Sequence, residues 1–139
     1  MTRTMFATLA FAGAVAFSGP AFAEKFKATL DGKSESPPTT SSGTGTADID
    51  YDATSKKLSW KISYSGLSGP ATAAHFHGPA EAGKNAGVAV PIPNAGTSPV
   101  EGSATLTDAQ AKDLTDGKLY VNVHTAANPA GEIRGQVTK

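Results

Sequence analysis

From Lys57 to Tyr64 the chain alternates without a break: Leu58, Trp60, Ile62 and Tyr64 are apolar, and Lys57, Ser59, Lys61 and Ser63 are polar. Successive side chains of an extended strand point to opposite faces, so this run fits a strand with one covered and one wet face and no helix. The sole tryptophan then sits mid-strand on the covered face. TADIDYD places Ala47, Ile49 and Tyr51 on one face, and the intervening DATSKK has turn chemistry, so the two runs are predicted to form a hairpin. KFKATLD and VEGSATL repeat the alternation, and GVAVPIP is a short apolar run whose Pro91 and Pro93 restrict it to an edge strand or irregular extended chain. The stretch GKSESPPTTSSGTG, rich in Pro, Ser, Thr and Gly, reads as a surface loop.

One helix is predicted. Thr107 followed by Gln110 fits a capping box, Ala109, Ala111 and Leu114 give an apolar side, and Gly117 ends it. Seven or eight short strands with one short helix make the chain all-β, an antiparallel sandwich or barrel with Greek-key connections. The opening MTRTMFATLAFAGAVAFSGPAFA carries Arg3, an apolar run from Met5 to Phe17 and the small-residue triplet Ala21-Phe22-Ala23. That is the pattern of a secretory signal over residues 1–23, which predicts a periplasmic or secreted product with a single domain over 24–139. The apolar run is too short to span a bilayer comfortably, and no later stretch reads as an anchor.

Twelve basic residues balance twelve acidic ones, and the only basic doublet is Lys56-Lys57, so nothing marks a nucleic-acid binder. Cysteine is absent, which excludes disulfides, thiolate metal sites and thiol catalysis. No nucleophile elbow accompanies the serines, so hydrolysis has no local signature, and the glycines of HGPAEAGKNAG lack the spacing of a nucleotide-binding loop.

Histidine is where chemistry concentrates. In AAHFHGPAEAG, His75 and His77 share one strand face about 6–7 Å apart along the strand, with Phe76 on the other. In YVNVH, Val121 and Val123 face the core while Tyr120, Asn122 and His124 face away. A turn centred on Asn128 sets His124 opposite Glu132, Asn122 opposite Arg134 and Tyr120 opposite Gln136, with Ile133, Gly135 and Val137 joining the valines inside. If the two histidine strands are neighbours, three imidazoles converge. Imidazole suits copper, zinc, nickel or iron, and without thiolates or a nearby carboxylate cluster copper and zinc are the leading candidates. Glu132 could supply a fourth ligand or an acceptor holding the His124 ring, and water could equally fill that position. The plainer reading is a polar, exposed His-x-His strand, with Phe76, Trp60 and Tyr64 in the core and Glu132–Arg134 an ordinary cross-strand pair.

AAHFHGPA, followed by GKLYVNVHTAANPAGEIRGQV, closely resembles the CHRD domain, a module described in chordin and found in many bacterial exported proteins. The resemblance runs from about Lys25 to Val137 and implies a compact, immunoglobulin-like all-β domain. A second resemblance concerns the site: a His-x-His strand and a later strand-end histidine look like the copper side of Cu,Zn superoxide dismutases, themselves Greek-key barrels. It implies His75, His77 and His124 as copper ligands and Arg134 as an anion guide. No histidine lies between Gly78 and Tyr120, so a bridging ligand and a zinc site have no counterpart, and dismutation lacks part of its machinery. Two function classes therefore stand as expectations. One is an exported metal-binding domain, in copper handling or a redox role. The other is a non-enzymatic module that recognises a protein or surface partner, and the metal content of purified protein separates the two.

Overall fold

The computed structural model describes residues 23–139; the predicted signal segment lies, but for Ala23, outside the described residues. Eight strands and one helix follow in the order β1 (Glu24–Asp31), β2 (Thr44–Asp52), β3 (Lys57–Ser65), β4 (Ala71–His77), β5 (Val88–Ile92), β6 (Val100–Thr105), α1 (Asp108–Thr115), β7 (Tyr120–Thr125) and β8 (Ile133–Gln136). All pairings are antiparallel, in one sheet of order β5-β4-β7-β8-β1-β2-β3-β6. The sheet curls until its two edges, β5 and β6, line one surface cleft through Val90 and Ile92 on one side and Ser103 and Ala104 on the other. Read around this nearly closed barrel, the strands run β1-β2-β3-β6-β5-β4-β7-β8, a Greek-key path in which the β3–β4 and β6–β7 connections cross between the two halves.

The alternation read from the sequence is what fills the barrel. Leu58, Trp60 and Ile62 of β3 meet Phe26, Ala28 and Leu30 of β1, Ala47 and Ile49 of β2, Phe76 of β4 and Val121 and Val123 of β7 in one apolar cluster. Trp60 reaches across the interior to Phe76, with ring centroids 5.3 Å apart. Its indole also lies over Gly102, its partner in the β3–β6 ladder, where a Cβ would come within 2.8 Å of the ring. Pro91 falls in β5, an edge strand of the sheet, where a missing N–H costs no ladder bond.

The helix starts at the predicted cap. The Thr107 side chain accepts from the Gln110 N–H, and the Gln110 side chain accepts from the Thr107 N–H. Leu114 is buried and Ala111 packs partly against the core, whereas Ala109, expected on the apolar side, is exposed. The Gln110 amide also donates to the Ala89 carbonyl, fastening the helix to β5. Thr107→Ala removes the acceptor and is expected to cost about 1 kcal/mol of stability. An unchanged urea midpoint would show that the cap contributes nothing.

Candidate metal centre

The strands β4 and β7 are neighbours, which is the condition the histidine cluster needed. Their ladder pairs His75 with Asn122 and His77 with Tyr120, and places Ala73 opposite His124. On β4, Phe76 points into the barrel with no exposure, so His75 and His77 emerge outside; on β7, Val121 and Val123 point in and Asn122 and His124 emerge on the same outer face. One coordinating nitrogen from each of His75, His77 and His124 lies within 4.8 Å of the others. The His75 Nδ1 and His124 Nε2 atoms are 3.0 Å apart.

The β7–β8 register matches the sequence reading: Tyr120 pairs with Gln136, Asn122 with Arg134, and Ile133 and Val137 lie in the core. What alternation alone did not reveal is the state of the outer face. All six residues of β7 are buried, because the segments 32–43 and 78–87 fold over this side of the sheet. His77 and His124 are each 8% exposed and Asn122 2%, and His75 is left half-buried as the ring nearest solvent.

Main-chain carbonyls fix the two buried rings. His77 Nδ1 lies 3.0 Å from the Ala86 carbonyl oxygen, and His124 Nδ1 lies 2.8 Å from that of Pro129. A carbonyl only accepts, so each Nδ1 carries the hydrogen and each Nε2 keeps its lone pair. Both Nε2 atoms then face Asn122 Oδ1, at 3.0 Å from His77 and 2.9 Å from His124. Burial pushes the His77 imidazole below its ordinary range, only partly offset by the Ala86 and Asn122 contacts, and burial with the neighbouring His124 and His77 does the same to His75. The neutral, lone-pair-bearing form is thereby favoured.

Two residues proposed from the sequence sit elsewhere in the network. Glu132 is fully buried, but its carboxylate accepts from Ser41 Oγ, the Ser68 N–H and hydroxyl, Thr125 Oγ1 and Asn128 Nδ2. The acceptor that holds the His124 ring is the Pro129 carbonyl and not Glu132. Burial would raise the Glu132 pKa, and the bonds from Ser68, Thr125 and Ser41 outweigh it and hold the group at about 2. Arg134 is 1% exposed, lies 3.4 Å from the Tyr120 ring centroid, and donates to Asn85 Oδ1 and the Lys84 carbonyl. The Tyr120 ring in turn stacks on His77 at 4.8 Å, almost parallel. So confined, Arg134 has almost no surface with which to guide an incoming anion, and its charge instead disfavours protonation of His77.

Sequence reasoning passed over Asn122 and Glu35. Asn122 shares the face of His124 two residues away, and that alternation was the available signal. Glu35 comes from the segment 32–43, 6% exposed, and burial raises its carboxyl to about 7 despite the nearby Arg134. No local pattern marks it.

A family model for the CHRD domain matches residues 26–137. The chain belongs to the CHRD family. The match spans β2 to β8 and β1 from Phe26 onward, so in this CHRD domain the three histidines, Asn122 and the overlying segments lie within the matched residues. No curated protein and no solved structure matches the chain.

Proposed function

We propose that this CHRD domain is an exported metal-binding domain that holds copper through His75, His77 and His124, in copper handling or in a redox role. The supporting observation is the convergence of three ring nitrogens within 4.8 Å, two of them with lone pairs turned inward by backbone carbonyls. Imidazole donors without thiolate suit copper or zinc, and among divalent ions a site of nitrogen and oxygen donors ranks copper highest. Orientation of each ligand ring by an acceptor on its other nitrogen is a recurrent feature of histidine metal sites. Bound copper would supply a Lewis acid and, if it cycles, one-electron chemistry; the half-buried His75 marks the side on which an outside ligand or a copper donor would approach. Export rests on the Met5–Phe17 run and the Ala21-Phe22-Ala23 triplet, and among the described residues no helix is long and apolar enough to cross a membrane.

Titration of metal-free protein with Cu(II), followed by electron paramagnetic resonance, tests the reading. One equivalent with nitrogen hyperfine structure is expected. His77→Ala should weaken binding by about a hundredfold or more, since loss of groups that merely support a ligand already costs about 10–100-fold. A wild-type spectrum identical to that of the triple histidine-to-alanine variant would leave a recognition module without a metal.

A further inference from the structure

We propose that Asn122 is a fourth protein ligand of this centre, giving its Oδ1 oxygen, and that this oxygen biases the site toward divalent over monovalent copper. The inference rests on the metal reading above and goes beyond the three histidines.

A count of hydrogens carries it. A neutral imidazole has one N–H, and in His77 and His124 that hydrogen points away from the centre, to Ala86 and Pro129. His75 Nδ1, 3.0 Å from His124 Nε2, has at most one more hydrogen to give, and it lies along that contact. Nothing remains between Asn122 Oδ1 and His77 Nε2 at 3.0 Å, where two lone pairs face each other in a buried site. An arrangement of acceptors without donors costs free energy unless a cation occupies their focus.

Turning the amide over would cost its outer contacts. Its Nδ2 lies 3.4 Å from the Ala130 carbonyl oxygen and beside the Glu35 carboxyl. A Cβ on Gly131 would stand 2.4 Å from Glu35 Oε1 and 2.6 Å from Asn122 Nδ2, so the two groups flank that glycine, whose φ of +126° also excludes most side chains. A flipped amide would set Oδ1 against the Ala130 carbonyl oxygen and, whenever Glu35 is ionised, against its carboxylate, so the surroundings favour the orientation that aims oxygen at the histidines.

The spacing also suits coordination. Neighbouring donors in a tetragonal set with bonds of about 2.1 Å stand about 3 Å apart. Asn122 Oδ1 stands 3.0 and 2.9 Å from the two buried ring nitrogens. A carbonyl oxygen is a hard donor, favouring a divalent ion, whereas monovalent copper prefers sulfur.

Two measurements test this. In wild-type protein labelled with carbon-13 at the asparagine side-chain carbonyl and loaded with Cu(II), electron–nuclear double resonance should show a carbon coupling beyond that of the matrix. Asn122→Ala should weaken Cu(II) about tenfold or more while changing Cu(I) less than about threefold, and Asn122→Asp should recover Cu(II) binding. Thermal unfolding confirms that each variant is folded, and the labelled wild type needs no substitution. Absence of the carbon coupling, or a folded Asn122→Ala protein with unchanged Cu(II) affinity, overturns the assignment while histidine nitrogen couplings keep the metal reading. A wild type that binds no copper overturns both.

Discussion

Gly135→Ala is expected to lower stability by about 3 kcal/mol or more and Tm by at least about 10 °C. The residue lies in β8 opposite Val121, facing the barrel interior as its place between Ile133 and Val137 requires. A Cβ there would come 2.2 Å from the Thr29 carbonyl oxygen and 2.7 Å from its carbon. Those are main-chain atoms of β1, held by the β1–β2 ladder, and cannot swing aside as a side chain would. Relief therefore has to come from separating β8 from β1, the seam that joins the histidine half of the barrel to the β1–β3 half. Gly69→Ala is the control: no atom lies within 4 Å of the added carbon, and a change within about 0.5 kcal/mol is expected. Urea unfolding of the two variants decides it, and a Gly135→Ala protein as stable as wild type would mean that the seam is looser than described.

Glu132→Ala is expected to cost about 2–3 kcal/mol, because it takes the shared acceptor from the buried Thr125, the half-buried Ser41 and Asn128 and the exposed Ser68, of which only Thr125 has no ready access to water. Leaving a single buried donor unpaired costs about 1–3 kcal/mol, and relaxation of the loop keeps the total below a simple sum. Acid should expose the same interaction. The folded group titrates at about 2 against an ordinary 4.5, so its contribution is fully present above the ordinary value and drains away as pH falls from there toward about 2. Glu132→Gln cannot titrate. Its deficit relative to wild type, read from urea midpoints, should therefore shrink on acidification through that window. A deficit that stays constant would show that the carboxylate is not what the surrounding donors hold.

Local pattern made much of this molecule legible. The strict alternation of Lys57–Tyr64 produced β3 with Leu58, Trp60 and Ile62 inside, and Thr107 with Gln110 marked the start of the helix. The register across the Asn128 turn followed from chain geometry, since antiparallel partners keep a constant index sum once the turn is placed. The adjacency of β4 and β7 was different. It depends on the short β3–β4 and the longer β6–β7 crossings, which no local pattern encodes, so from sequence the histidine cluster is conditional on it. Least legible was the cover over the outer face. Polar residues on the side of a strand away from the core read as wet, but His77, Asn122, His124, Glu132 and Arg134 are buried beneath loop segments whose paths are set by tertiary contacts. Glu132 accordingly faces His124 in register yet bonds to Ser41 and Ser68, and Arg134, which the dismutase resemblance implies as an anion guide, is closed off by burial.

The ring tethers at Ala86 and Pro129 are oxygens of the peptide chain itself. No exchange of side chains can delete such an atom, so the decorations of both turns are free to diversify without altering which nitrogen of either imidazole looks inward. Orientation of the donors is written into the course of the main chain, and only a change in that course would unwrite it.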